Sequence, residues 1–101
     1  MYGLIGKFTA VKGERDALMA ILAEGMKDMP GCHSYVIARD PSDANAIWIT
    51  EVWDSADHHQ ASLQLASVQA AIAKGRPLIA GMDRIAETIP HSGIGLAVEP
   101  I

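Results

Sequence analysis

Residues 46–53 read Ala-Ile-Trp-Ile-Thr-Glu-Val-Trp, a run that places apolar side chains on both parities of a strand. β-Branched and aromatic residues favour extended backbone, and successive side chains along it point to opposite faces. Ile47, Ile49 and Trp53 therefore share one face, while Trp48 and Val52 share the other. Two neighbouring runs repeat the pattern. In residues 3–10, Leu4 and Phe8 oppose Ile5, and in residues 32–39, Tyr35 and Ile37 oppose Cys32, Val36 and Ala38. The helices of one small chain can cover only one face of such a sheet. The other face needs a second cover, and a second copy supplies it with the same surface. The expectation is a homodimer whose sheets pack face to face through Ile5, Val36 and Trp48.

Between the strands the period changes. Leu18, Ile21, Leu22, Gly25, Met26 and Met29 fall at helical spacing, and Pro30-Gly31 is expected to stop that helix after Met29. The polar stretch 40–45 contains Asp, Pro and Asn, so it reads as a turn pairing the second and third strands in a hairpin. Ser55 is placed to cap a helix running from about 56 to 65. Ser67 is placed as a second cap, after which Val68, Ala71, Ile72 and Gly75 continue at helical spacing until Pro77. Residues 81–89 read as a fourth strand. Strand, helix, strand, strand, helix, strand is the order of an α+β, ferredoxin-like split βαβ sandwich. The domain is expected over 1–90, with 91–101 a C-terminal tail that is either a loose arm or an extra edge strand.

The chain's 101 residues are enough for one domain, half of them apolar. With a net charge of −4 and eight basic residues scattered from Lys7 to Arg84, it offers no footprint for nucleic acid or an anionic membrane. No basic-then-apolar leader and no bilayer-length apolar run is present, so a cytoplasmic location is expected. The single cysteine, Cys32, permits no intramolecular disulfide and reads as a small buried hydrophobe. No Gly-x-Gly-x-x-Gly turn or phosphate loop occurs. The adjacent pair His58-His59 is a poor chelate, because neighbours on a helix diverge by about 100°. Neither a cofactor nor a metal is expected.

Four segments in sequence carry a resemblance. Lys12-Gly13 follows the first strand, then come Met29-Pro30-Gly31-Cys32 with Tyr35, Glu51-Val52-Trp53, and Asp54-Ser55 opening a helix. Over residues 3–89 this set resembles the antibiotic biosynthesis monooxygenase family. The resemblance implies a dimeric α/β barrel with a pocket between each sheet and its own helices. It also implies a cofactor-independent monooxygenase that oxidises a quinol-like or polycyclic phenolic substrate with O₂. Many family members carry His nine residues after the Trp, where this chain has Ser62. His59 and then His58, one turn upstream, are the candidate catalytic bases, since imidazole titrates nearest neutral pH. Trp53, Glu51, Phe8, Tyr35 and Ser62 are expected to line the substrate pocket. Glu51 is expected either to partner Arg84 or Arg39 or to hydrogen-bond a ligand, and Arg76 either attracts an anion or simply complements the helix C-terminus beside it. The alternatives are a non-catalytic small-molecule-binding dimer and a haem-degrading oxygenase of the same fold.

Overall fold

The computed structural model describes residues 1–96. Its elements are β1 (Tyr2–Ala10), α1 (Arg15–Gly25), β2 (Cys32–Arg39), β3 (Ala46–Trp53), α2 (Ala56–Ser62), α3 (Ala66–Gly75), a single 3₁₀ turn (Arg76–Leu78) and β4 (Ile79–Thr88). All strand pairs are antiparallel, in the order β2-β3-β1-β4. This is the α+β split βαβ arrangement, and within one chain the sheet is open. Residues 91–96 add no strand, and the rest of the tail lies outside the described residues. Among the described residues, no helix is long and apolar enough to cross a membrane.

Register explains which side chains meet. Tyr2 opposes Trp53, Leu4 opposes Glu51, Gly6 opposes Ile49 and Phe8 opposes Ile47, so these eight share the helix-covered face. Leu18 and Leu22 of α1 pack there with Ala10, Ile47 and Ile49, and Val68 of α3 packs with Met29 and Trp53. The opposite face carries Ile5, Val36, Trp48, Thr50 and Val52, with Val36 49% exposed. There the Trp48 indole N–H donates to Asp40 Oδ2 at 2.8 Å, and the Lys7 ammonium lies 5.3 Å above the same ring.

Three local expectations need correction. The first helix stops at Gly25, a turn early, because Met26 leaves the helical region with ψ of 52°, and the loop that follows turns through Asp28 at a left-handed φ of 51°. Gly25 also seats this helix end directly on α3, since a Cβ there would lie 2.3 Å from that of Ala71. Met29 is still buried, but from a loop. Ser67 is no cap: α3 starts at Ala66, and Leu65 holds the N-cap position without a side-chain bond. The amides of Leu63, Gln64 and Leu65 bond back to the Gln60, Ala61 and Ser62 carbonyls of α2, so the chain keeps turning and α3 begins before the serine is reached. Finally, a register shift between Cys32 and Ser34 moves Cys32 across to the Trp53 side of the sheet. By contrast Ser55 does cap α2, its Oγ accepting the His58 N–H at 3.2 Å. Thr88 ends β4, which begins at Ile79, two residues before the expected start.

Candidate active site

Between the helices and the sheet lies a cavity of about 620 Å³. The residues that were meant to fill a helix stripe, among them Leu22, Met26, Val68 and Ile72, form its roof; Leu4, Gly6, Phe8 and Ile49 form its floor. Such a space, walled mainly by aliphatic side chains with few polar groups, suits a small apolar ligand.

The polar groups gather at one end. Glu51 on β3 is carried onto the helix side by strand alternation and is only 11% exposed at its side chain. The indole N–H of Trp53 donates to Glu51 Oε1 at 3.0 Å, and Nε2 of His59 lies 3.8 Å from the same oxygen. Glu51 Oε2 bonds no described residue, and no fully buried polar side-chain atom is unpaired, so this oxygen remains accessible beside the cavity. His59 is held on two sides. Its ring meets Trp53 edge-on at 5.5 Å and Tyr2 at 5.7 Å with a tilt of 37°. The Ser55 cap fixes where α2 starts, and that start sets which histidine faces inward. His59 lines the cavity, whereas His58 stands 50% exposed with Nδ1 3.4 Å from Asp54 Oδ2. His33 bonds the other oxygen of Asp54. This second histidine group lies outside the cavity lining.

Burial pushes the Glu51 carboxyl above its ordinary range, against the opposing pull of the Trp53 N–H, His59 and Arg84. A carboxyl whose folded pKa is raised favours the folded state most when protonated. Its contribution is lost as pH climbs from the ordinary value through the folded one, so at neutral pH the charge costs stability. Tyr35, also in the lining, is held well above the usual phenol range by burial and then by the Glu51 charge, so its hydroxyl keeps its proton.

Arg84 and Arg39 do not partner Glu51. Arg84 bonds Glu87 at 2.6 Å and Arg39 lies 3.4 Å from Asp16. The indole of Trp53, two residues along the same strand face, reaches Glu51 first. Ser62 is buried in the lining, but its hydroxyl is spent on the His59 carbonyl at 2.6 Å. Phe8 and Trp53 also line the cavity. Sequence reading missed Tyr2, because a Tyr at the start of a strand carries no signal of what stacks on it. It missed Gly6 because an absent side chain has no pattern. Cys32 is half-buried, with its thiol pushed up by burial. Among the described residues no three His, Cys, Asp or Glu side chains converge as a metal set.

Comparison with known proteins agrees with this architecture. Residues 1–74 match the family model described as antibiotic biosynthesis monooxygenase. A crystal structure of a candidate antibiotic biosynthesis monooxygenase from Chloroflexus aurantiacus J-10-fl is 64% identical, covers 95% of this chain and 98% of its own, and superposes with a TM-score of 0.90. A second candidate of that name from Deinococcus radiodurans is 22% identical over 93% of this chain and 96% of its own, with a TM-score of 0.76. A Pseudomonas aeruginosa protein is 17% identical over 90% and 94%, with a TM-score of 0.78. These last two share the fold. No curated protein matches the chain. With the family model spanning most of the chain and the Chloroflexus protein matching it nearly end to end, the chain belongs to the antibiotic biosynthesis monooxygenase family.

Proposed function

We propose that this protein is a monooxygenase that converts a small phenolic aromatic to a quinone with O₂, using its own side chains as the proton acceptor. The observation that carries this reading is the His59–Glu51 pair at the end of an apolar cavity. A phenol hydroxyl lodged there loses its proton to His59 Nε2, and the imidazolium so formed is stabilised by the carboxylate beside it. The phenolate is electron-rich enough to pass one electron to O₂. Recombination of superoxide with the ring radical forms a C–O bond at a ring carbon bearing hydrogen. Loss of that hydrogen as a proton, with cleavage of O–O, leaves the second carbonyl, and the other oxygen atom departs as water. One phenol and one O₂ thus give one quinone and one water. The aliphatic walls serve by keeping bulk water from the phenolate and the radical pair. Turnover tests the reading: naphthols and anthrones in air should form quinone faster with the protein than in buffer. Equal rates across the panel would leave a binding protein without catalysis.

The working form in this proposal is a homodimer built on the helix-free face. Ile5, Val36, Trp48 and Val52 make that face apolar at its centre, and a second copy covers it symmetrically. Two open sheets packed this way make a dimeric barrel. Light scattering at micromolar concentration is expected to give twice the 10.8 kDa chain mass. A monomer mass there would contradict the sheet-to-sheet arrangement.

A further inference from the structure

We propose that the phenolic substrate also bears a carboxylate, held by Arg76 at the end of the cavity away from His59, with the rings between lying over Gly6. This rests on the reading of the cavity as a phenol site and names the substrate class within it.

Two observations carry it. The first is Gly6 itself. It sits mid-way along the inner strand β1, facing the helices between Leu4 and Phe8, with Ile49 and Arg84 as its cross-strand neighbours. Glycine weakens a strand interior, and its usual justification there is a bulge or a close backbone approach. The bulge beside it, between Ile5 and Gly6, does not demand a glycine, since its φ is not in the left-handed region. Nor does packing demand one. A Cβ placed at Gly6 would meet only the Asp83 carbonyl oxygen, at 3.6 Å, an ordinary contact. What the missing side chain provides is open floor: Gly6 lines the cavity, and a flat ring can rest on its backbone.

The second is the distribution of charge along that floor. Of the arginines lining the cavity, Arg84 is already neutralised by Glu87 at 2.6 Å, and the Tyr2 hydroxyl donates to the same Glu87 oxygen at 3.3 Å. Arg76 also lines the cavity, is exposed, and has no carboxylate partner among the described residues; beyond the His59–Glu51 pair, the other charged side chains of the lining are Lys7, which lies over the Trp48 ring, and Asp83. It stands in the 3₁₀ turn that leads into Ile79, which pairs with Ala10, whereas Glu51 pairs with Leu4. Six strand residues separate those two register positions, about 20 Å at a strand's rise per residue. An extended arginine side chain from the turn at one end, and the His59–Glu51 pair at the other, would leave a gap that two fused rings with a carboxylate can span. The planar guanidinium fork matches a carboxylate in a way that a point charge does not.

The test is calorimetric titration, at neutral pH, of a hydroxynaphthoic acid with hydroxyl and carboxylate at opposite ends of the rings, against its methyl ester. The wild-type protein should bind the acid roughly tenfold more tightly than the ester, the scale of one charge-assisted contact. Arg76→Gln should erase that preference while leaving ester binding unchanged, and Arg76→Lys should restore part of it. Gly6→Val should weaken both ligands by a similar factor and keep the preference, with an unchanged melting temperature certifying the fold. Equal binding of acid and ester by the wild type, or a preference that survives Arg76→Gln, would overturn the carboxylate assignment. Unchanged binding in Gly6→Val would overturn the placement of the rings. Binding needs no turnover, so a protein that prefers the acid yet makes no quinone keeps this inference and loses the oxygenase reading. One that makes quinone from acid and ester alike, with equal affinity, does the reverse.

Discussion

Replacing His59 by alanine is expected to slow quinone formation by about 10²–10⁴-fold, the usual cost of removing a positioned general base. The fold should tolerate the change. The ring contributes edge contacts to Trp53 and Tyr2 but no backbone bond, and the Ser55 cap that starts α2 is untouched. A loss of stability within about 1 kcal/mol is expected, in line with a single partly exposed substitution. His58→Ala is the control, because His58 stands on the outer side beside Asp54 and lines no part of the cavity. Its rate should stay within about twofold of wild type. Equal, small effects from the two variants would remove His59 from the proton transfer, and a large effect from His58 alone would place the base on the surface cluster. Measuring kcat separately from KM matters here: an effect confined to KM would make His59 a binding group only.

Trp53→Ala should be the most disruptive core substitution in the chain. Trp53 is 1% exposed, packs against Met29 and Val68, meets the His59 ring, and supplies the N–H that Glu51 accepts. Truncating a buried Trp costs about 3–5 kcal/mol, a large share of the roughly 5–15 kcal/mol by which domains of this size are stable. The same change leaves a half-buried carboxylate without its donor, which adds to the loss. Urea unfolding should show the midpoint falling sharply or the folded baseline vanishing. Trp53→Phe separates the two contributions, since it keeps most of the volume and removes only the N–H. It should fold, lose less stability than the alanine variant, and raise the Glu51 pKa further. An alanine variant as stable as wild type would contradict a core packed around Trp53 of β3.

Much of this architecture is legible in the sequence because period decides it. The alternation in Ala46–Trp53 and the turn chemistry of 40–45 place the hairpin, and the same alternation puts Glu51 and Trp53 on one face with Ile49. The helical spacing around Leu18 and Leu22 gives α1 and its buried side. What period cannot show is where it is interrupted. Met26 leaves the helical region and ends α1 early, and a register shift near His33 carries Cys32 to the other face. Partner choice is equally hidden. Charge alone offers Arg84 or Arg39 to Glu51, but both have nearer carboxylates, and Glu51 instead accepts from a neutral indole. The choice between His58 and His59 depends on which residue begins α2, a matter of one cap, and the open floor at Gly6 depends on a side chain that is not there.

The central claim, that one atom of O₂ is inserted into a phenol held against His59 and Glu51, is tested most directly by turnover under isotopically labelled O₂ in unlabelled water, read by mass spectrometry of the quinone. The account predicts one labelled oxygen in each product molecule, formed faster than in buffer, with the other labelled atom recovered as water and little hydrogen peroxide. Quinone whose new oxygen comes from solvent, or product formed no faster than in buffer, would contradict it.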